Sequence, residues 1–209
     1  MGTQLLPLFP LGVVLVPAMP LPLHIFEERY KELMNDIVPL SAEFGVVLAK
    51  QEGIANVGCT ATVEQIVNKY PDGRMDLIAL GRRRFKVSSL DDGKHYLRAA
   101  VEFFDDENEL DPPANLRGKA IAAYRQLSRL EGAEESEDEP MPQNPMSFQI
   151  AQLIFDVEKR LTILSLRSET ERLQYISSML PEYAAQRGQA LAAKRLAPQN
   201  GHARHVSGT

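Results

Sequence analysis

The sequence predicts an α+β fold in which a set of strands comes first and a group of helices follows. Three stretches carry that reading. Residues 5–34, LLPLFPLGVVLVPAMPLPLHIFEERYKELM, open with an apolar run that proline keeps extended. Residues 59–80 hold two strand-like arms on either side of Tyr70-Pro71-Asp72-Gly73. From Pro112-Pro113 onward, apolar residues recur at helical rather than alternating spacing.

Between Leu5 and Phe26 there is no Asp, Glu, Lys or Arg. A charge-free run of more than about 20 residues is long enough to cross a bilayer as a helix. Pro7, Pro10, Pro17, Pro20 and Pro22 argue against that, because each removes a backbone donor and clashes with a preceding helical turn. A short strand over Val13–Val16 and then a proline-stiffened crossing are predicted instead. From His24 the pattern turns helical. Ile25, Phe26, Tyr30, Leu33 and Met34 form the apolar face, with Glu27, Glu28, Arg29, Lys31 and Glu32 opposite.

Glu43–Lys50 is the next strand. The arms 59–67 and 74–80 form a β-hairpin, with Asp72 suited to bond the backbone of its turn and Gly73 suited to positive φ. A further strand is predicted from Gly81 through Val87, a turn at Asp91-Asp92-Gly93, and a return over Tyr96–Phe104. Several short strands separated by turns indicate an antiparallel barrel or sandwich. Asp105–Asp111 is an acidic linker. The first helix after it carries Ile121, Tyr124, Leu127 and Leu130, and residues 131–144 read as a solvated acidic loop. Ile150, Leu153 and Ile154 resume helical spacing. A separate short helix with Leu161, Leu164 and Leu166 begins near Asp156, and Ser168-x-x-Glu171 is a capping box opening the last helix. Pro181 is expected to kink that helix. The division is therefore a β-rich part over 1–110, a helical bundle over 111–197 and a disordered tail over 198–209.

The string Phe9-Pro10-Leu11, Val14-Leu15-Val16-Pro17, Leu21-Pro22-Leu23-His24-Ile25-Phe26-Glu27 and Arg29-Tyr30 resembles the opening of the Lon protease N-terminal, substrate-binding domain. The hairpin and Gly81-Arg82-x-Arg84-Phe85-x-Val87 resemble the same family in the same order. Ile163-Leu164-Ser165 and Glu171-Arg172-Leu173 extend the likeness, which covers residues 5 to about 185. The resemblance implies a PUA-like β pseudo-barrel followed by a C-terminal helical bundle. It also implies a module that recognises polypeptide.

The chemistry of a complete Lon machine is not expected here. Gly93-Lys94 is followed by His95 and Gly118-Lys119 by Ala120, so neither forms a phosphate-cradling loop. There is no Gly-x-Ser-x-Gly elbow. The resemblance places the family's Ser-Lys peptidase pair in a later domain, so the expectation is a free-standing, non-enzymatic recognition domain with no cofactor. The single cysteine, Cys59, reads as a small buried residue. His24 is expected to pack beside or cap a helix and His95 to sit in a turn. His202 and His205 in the tail lack Cys or carboxylate partners for a metal.

At 44% hydrophobic and 24% charged residues, the composition is that of a soluble globular protein. No basic n-region with a small-residue cleavage site precedes the apolar run, and Leu6 stands where myristoylation requires Ser or Thr. A cytoplasmic protein is expected. Net charge is −5, and the excess acid lies in the first half. This argues against nucleic acid, whose binders carry basic excess. Arg82-Arg83-Arg84 is the one basic cluster. Strand alternation puts Arg82 and Arg84 on one face and Arg83 on the other, either paired with nearby acids or contacting a peptide carboxylate or RNA phosphate. The expected partner is polypeptide, held in an apolar groove at the barrel–bundle seam by residues including Phe26, Tyr30, Arg82 and Arg84. RNA binding by a PUA-like barrel is the alternative.

Overall fold

The computed structural model describes residues 5–107, 111–132 and 145–196. Six strands make one sheet: β1 (Leu6–Leu11), β2 (Pro20–Ile25), β3 (Phe44–Ala49), β4 (Ile54–Lys69), β5 (Met75–Asp91) and β6 (Arg98–Phe103). Helix α1 (Glu28–Ile37) and a 3₁₀ turn (Val38–Leu40) lie between β2 and β3. Among the described residues four helices follow the sheet: α2 (Ala114–Leu130), α3 (Met146–Gln152), α4 (Val157–Ser165) and α5 (Glu169–Leu196). Strand order is β2-β5-β4-β3-β1-β6, and β5 also pairs with β6. That second pairing closes β1, β3, β4, β5 and β6 into a barrel, leaving β2 outside it along β5. The α+β expectation holds, with one change to the barrel: β1 and β3 are parallel. The chain leaves β1, passes through β2 and α1, and returns to lay β3 alongside in the same direction.

The opening segment differs from the sequence reading. Its strand is Leu6–Leu11, while Val13–Val16 belongs to no strand. Val14, Leu15 and Val16 are instead buried as an unpaired extended passage. The prolines sit where a missing donor matters little. Pro7 precedes the β3 ladder, which begins at Leu8. Pro10 lies within that ladder opposite Val47, but the Leu8 N–H donates to the Leu97 carbonyl, away from β3. The donor missing two residues on therefore also faces away from β3, beyond the end of the β6 pairing. Among the described residues β2 pairs on one side only, and Pro20 and Pro22 alternate along its exposed edge, where proline is tolerated. The proline crossing is thus an edge strand.

The hairpin forms as predicted. The Gly73 N–H donates to the Tyr70 carbonyl, the Tyr70 N–H donates to the Arg74 carbonyl, and Gly73 has φ 84. Its arms are longer than expected, because β5 continues without a break through Gly81. A Cβ at Gly81 would overlap the Val16 carbonyl oxygen. There the opening segment crosses tightly, with the Ala18 N–H donating to the Gly81 carbonyl and the Gly81 N–H to the Met19 carbonyl. Beside this crossing, Cys59 pairs with Arg84 and Ala61 with Gly81, so Thr60 alone faces Arg82 and Arg83. That bulge bends β5 from the barrel into a projecting arm built of β2, the start of β5 and the end of β4. β3 accompanies β4 only as far as Ala61. From Thr62 to Lys69 the outer edge of β4 has no strand partner among the described residues.

Helix α1 starts later than His24 and buries Tyr30, Leu33, Met34 and Ile37 at helical spacing. Ile25 ends β2, and Phe26 is an exposed link between strand and helix. In α2 the buried stripe is Leu116, Ala120, Ala123 and Leu127, with Ile121, Tyr124 and Leu130 packed at its margin. Asp156 caps α4, accepting the Lys159 N–H at 3.0 Å. Ser168 accepts the Glu171 N–H at 3.5 Å before α5, which continues through Pro181. One apolar core runs from Phe9, Leu33, Phe44 and Leu77 to Leu127, Ile150, Ile163 and Leu173. It continues across the boundary expected near residue 110. A smaller cluster of Leu6, Leu8, Val47, Phe85 and Ala99 fills the barrel. The acidic loop beyond Gly132, and the tail with His202 and His205, lie outside the described residues.

Candidate functional site

A cleft of about 770 Å³ opens between the end of α1, the start of β1 and the strand β6. Local sequence explains its apolar surface. Ser41, at φ 50, reverses the chain just after the 3₁₀ turn. Leu40 is thereby left 76% exposed. Across the cleft Phe103, at the end of β6, is 42% exposed and lies under the Arg83 guanidinium at 3.9 Å. Val101 and Leu5 complete the apolar lining.

The rim is charged but internally neutralised. Arg83 donates to Glu43 at 3.1 Å, Arg98 pairs with Asp91 at 2.6 Å, and Lys94 pairs with Asp36. The Tyr96 hydroxyl donates to the same Asp36 carboxylate at 2.7 Å. The hydrogen bond from Lys94, then that from Tyr96, holds the Asp36 carboxyl below the usual carboxylate range. The reciprocal bond to Asp36 raises the Lys94 ammonium. A rim with its charges already satisfied offers little to an anion, whereas Leu40 and Phe103 offer unspent apolar surface.

The seam between barrel and helices is filled by a buried network. Asp106 accepts from Arg84 and, at 2.6 Å, from both Nη1 and Nη2 of Arg172. Arg84 also donates to the Leu166 carbonyl at 2.6 Å, and Arg172 to Glu169 at 2.8 Å. Burial pushes the Asp106 carboxyl up, but the Arg172 hydrogen bonds and the charges of both arginines outweigh it and hold it low. A smaller cleft of about 440 Å³ opens here between Pro17, Asp105 and Phe148. Arg160 is buried and bonds backbone carbonyls, with no carboxylate partner among the described residues. It donates to the Ala151 carbonyl at 3.0 Å and the Val14 carbonyl at 3.2 Å, tying the opening segment to the C-terminal end of α3, where carbonyl dipoles favour a cation.

The four residues expected at a binding groove are not brought together. Phe26 is 58% exposed beside His24 on the arm. Tyr30 is buried, stacked on Phe9 with ring centroids 4.0 Å apart. Arg82 is exposed but bonded to Glu64 at 2.6 Å, and Arg84 is buried in the seam. Strict alternation fails in this cluster because the bulge leaves both Arg82 and Arg83 outward and only Arg84 inward. All three arginines have carboxylate partners.

His24 does not open a helix. It lies on β2 and contacts Asp76, which also accepts from Tyr70 at 2.8 Å and Asn68 at 3.1 Å. These hydrogen bonds, the His24 contact first, lower the Asp76 carboxyl to about 2. His95 contacts Glu32 at 2.8 Å. Cys59 is buried, which pushes its thiol up to about 12, so it carries no thiolate nucleophile.

A family model described as the ATP-dependent protease La (LON) substrate-binding domain matches residues 5–182. The chain belongs to this family. A Lon protease from Roseiflexus castenholzii is 26% identical over 136 residues, 61% of this chain. The chain spans only 17% of that relative's length. A Lon N-terminal domain protein from Xanthomonas campestris has a solved structure that superposes with a TM-score of 0.69 at 24% identity, covering 85% of this chain and 99% of that one. The N-terminal domain of the Mycobacterium avium complex Lon protease gives 0.63 at 13% identity, over 87% and 98%. These two likenesses establish a shared fold. In this Lon substrate-binding-domain chain, sequence patterning did not reveal Leu40, Phe103, Lys94 or Tyr96 as a group, because they come together only through closure of the barrel. The apolar triplet Val38-Pro39-Leu40, outside the α1 stripe, was the available signal. No described helix is long and apolar enough to cross a membrane.

Proposed function

We propose that this chain is a non-enzymatic recognition module that captures exposed apolar segments of unfolded or partner proteins in the cleft beside α1 and β6. The observation that carries this reading is the pairing of two exposed apolar side chains, Leu40 and Phe103, across a cleft whose rim charges neutralise one another. Exposed apolar surface in a concave site is a common mark of a protein-binding region. Family membership supports the same class of partner. The engagement of Arg82, Arg83 and Arg84 with carboxylates favours polypeptide over RNA, since phosphate binding relies on cations available for neutralisation. An adaptor role, delivering bound chains to a separate protease or ATPase, follows from the reading, as does action in the cytoplasm.

The reading is tested with a peptide array and a pull-down of denatured proteins, each against scrambled-sequence controls. Apolar peptides are expected to bind above their controls, and Leu40→Asp is expected to reduce that binding. Equal binding of native and scrambled peptides would remove the proposal.

A further inference from the structure

The 3₁₀ turn that walls the cleft beside α1 and β6 has a second cleft, of about 440 Å³, against its other flank. Ile37, Ser41 and Ala42 line both. Leu40 lines only the first and Val38 only the second, so the turn is a partition between them. The Ser41 N–H donates to the Val38 carbonyl and the Ala42 N–H to the Ile37 carbonyl, which holds the partition in shape. The two clefts are built alike. Phe103 in the first has a counterpart in Ile66, 40% exposed, in the second. The bulge at Thr60 turns neighbouring arginines outward, and Arg83 lines the first cleft while Arg82 lines the second. Each uses its Nε and Nη2, Arg83 on Glu43 and Arg82 on Thr62 and Glu64. Neither Nη1 has a hydrogen bond with any described residue.

We propose that one extended polypeptide segment straddles this partition, with an apolar side chain in each cleft and backbone carbonyls accepting from Nη1 of Arg82 and Arg83. The inference rests on the first cleft being a polypeptide site. Charge favours this occupant: both arginines are already neutralised by glutamates, which disfavours an anion, yet each keeps a donor for a neutral carbonyl. Spacing agrees. Side chains two or four residues apart share one face of an extended chain and lie about 7 or 13 Å apart. That range brackets a partition roughly as thick as one helical turn, about 10 Å.

Anisotropy titrations of the full 209-residue chain with labelled Gly/Ser peptides test this. One set carries a single Phe, and the other carries two, set one, two or four residues apart. Peptides with two Phe at a separation of two or four are expected to bind at least about tenfold tighter than single-Phe peptides, because the second anchor binds within the same complex. Adjacent Phe residues, which point to opposite faces, should give no such gain. Ile66→Asp should abolish the gain and leave single-Phe binding unchanged, whereas Leu40→Asp should weaken both. Ile66 is exposed, and circular dichroism will show that the variant folds. Single-Phe binding with no gain at any separation, or a gain that survives Ile66→Asp, would overturn the straddling segment and leave the first cleft as a site. Failure of every peptide to bind would remove the first cleft as a polypeptide site and this inference with it.

Discussion

Asp106 holds together two guanidiniums that would otherwise be stranded. Arg172 is fully buried and Arg84 only 5% exposed, and both point at this one carboxylate. Removing one partner of a buried ion pair is strongly destabilising, because the remaining charge has no water to return to. Asp106→Asn is therefore expected to lower unfolding stability by about 3 kcal/mol, measured by urea denaturation at neutral pH. The same group shapes the acid response. Its carboxyl is held below its ordinary value of 3.8, so its stabilisation is complete above that value and is lost as pH falls through the lower folded value. Asp76, lowered to about 2, acts in the same direction down to about that pH. Stability should fall steadily below pH 3.8, and the slope should be shallower in Asp106→Asn. An unchanged slope would show that the seam does not govern acid unfolding. Nothing in the sequence tied Asp106 to Arg84 and Arg172, because the three are distant in the chain and meet only at the seam. The Gly-Arg-x-Arg-Phe pattern marked the right strand, but the bulge decided which arginine turned inward.

At the scale of elements, the strand β5 depends on one residue without a side chain. Gly81 lets the opening segment cross β5 at the Val16 carbonyl, where any Cβ would force the backbones apart. Overpacking of this kind typically costs about 1–3 kcal/mol. Gly81→Ala is expected to lower the thermal midpoint accordingly, whereas Gly118→Ala, with open space around it on the exposed face of α2, should be neutral or slightly stabilising. Equal effects would contradict the crossing. Asp156→Ala, which removes the cap on α4, should cost about 1 kcal/mol. Local chemistry made the hairpin turn, the Asp156 start and the Ser168 start legible. The strands of the opening segment were misplaced because proline reads locally as a breaker. Whether a proline is tolerated depends on which side of the strand has a neighbour, and that is a property of the assembled sheet.

For the molecule as a whole, the continuous core joins barrel to helices, with Leu77 and Leu173 belonging to one apolar cluster. Unfolding followed by far-ultraviolet circular dichroism and by tyrosine fluorescence is expected to give coincident single transitions. Two separated transitions would mean that the strands and helices are independent units after all. The class of fold was readable from patterning and from family-like strings. The cleft was not, since its walls come from α1, the 3₁₀ turn, β1 and β6, and its apolar residues are isolated in sequence. The most direct test of polypeptide capture is an anisotropy titration with a labelled, reduced and alkylated protein that cannot refold. Saturable binding by the parent chain, weakened at least about tenfold in Phe103→Ser and in Leu40→Asp with folding intact, is the predicted result. Binding that is absent in the parent, or identical in both variants, would contradict a polypeptide site in this cleft.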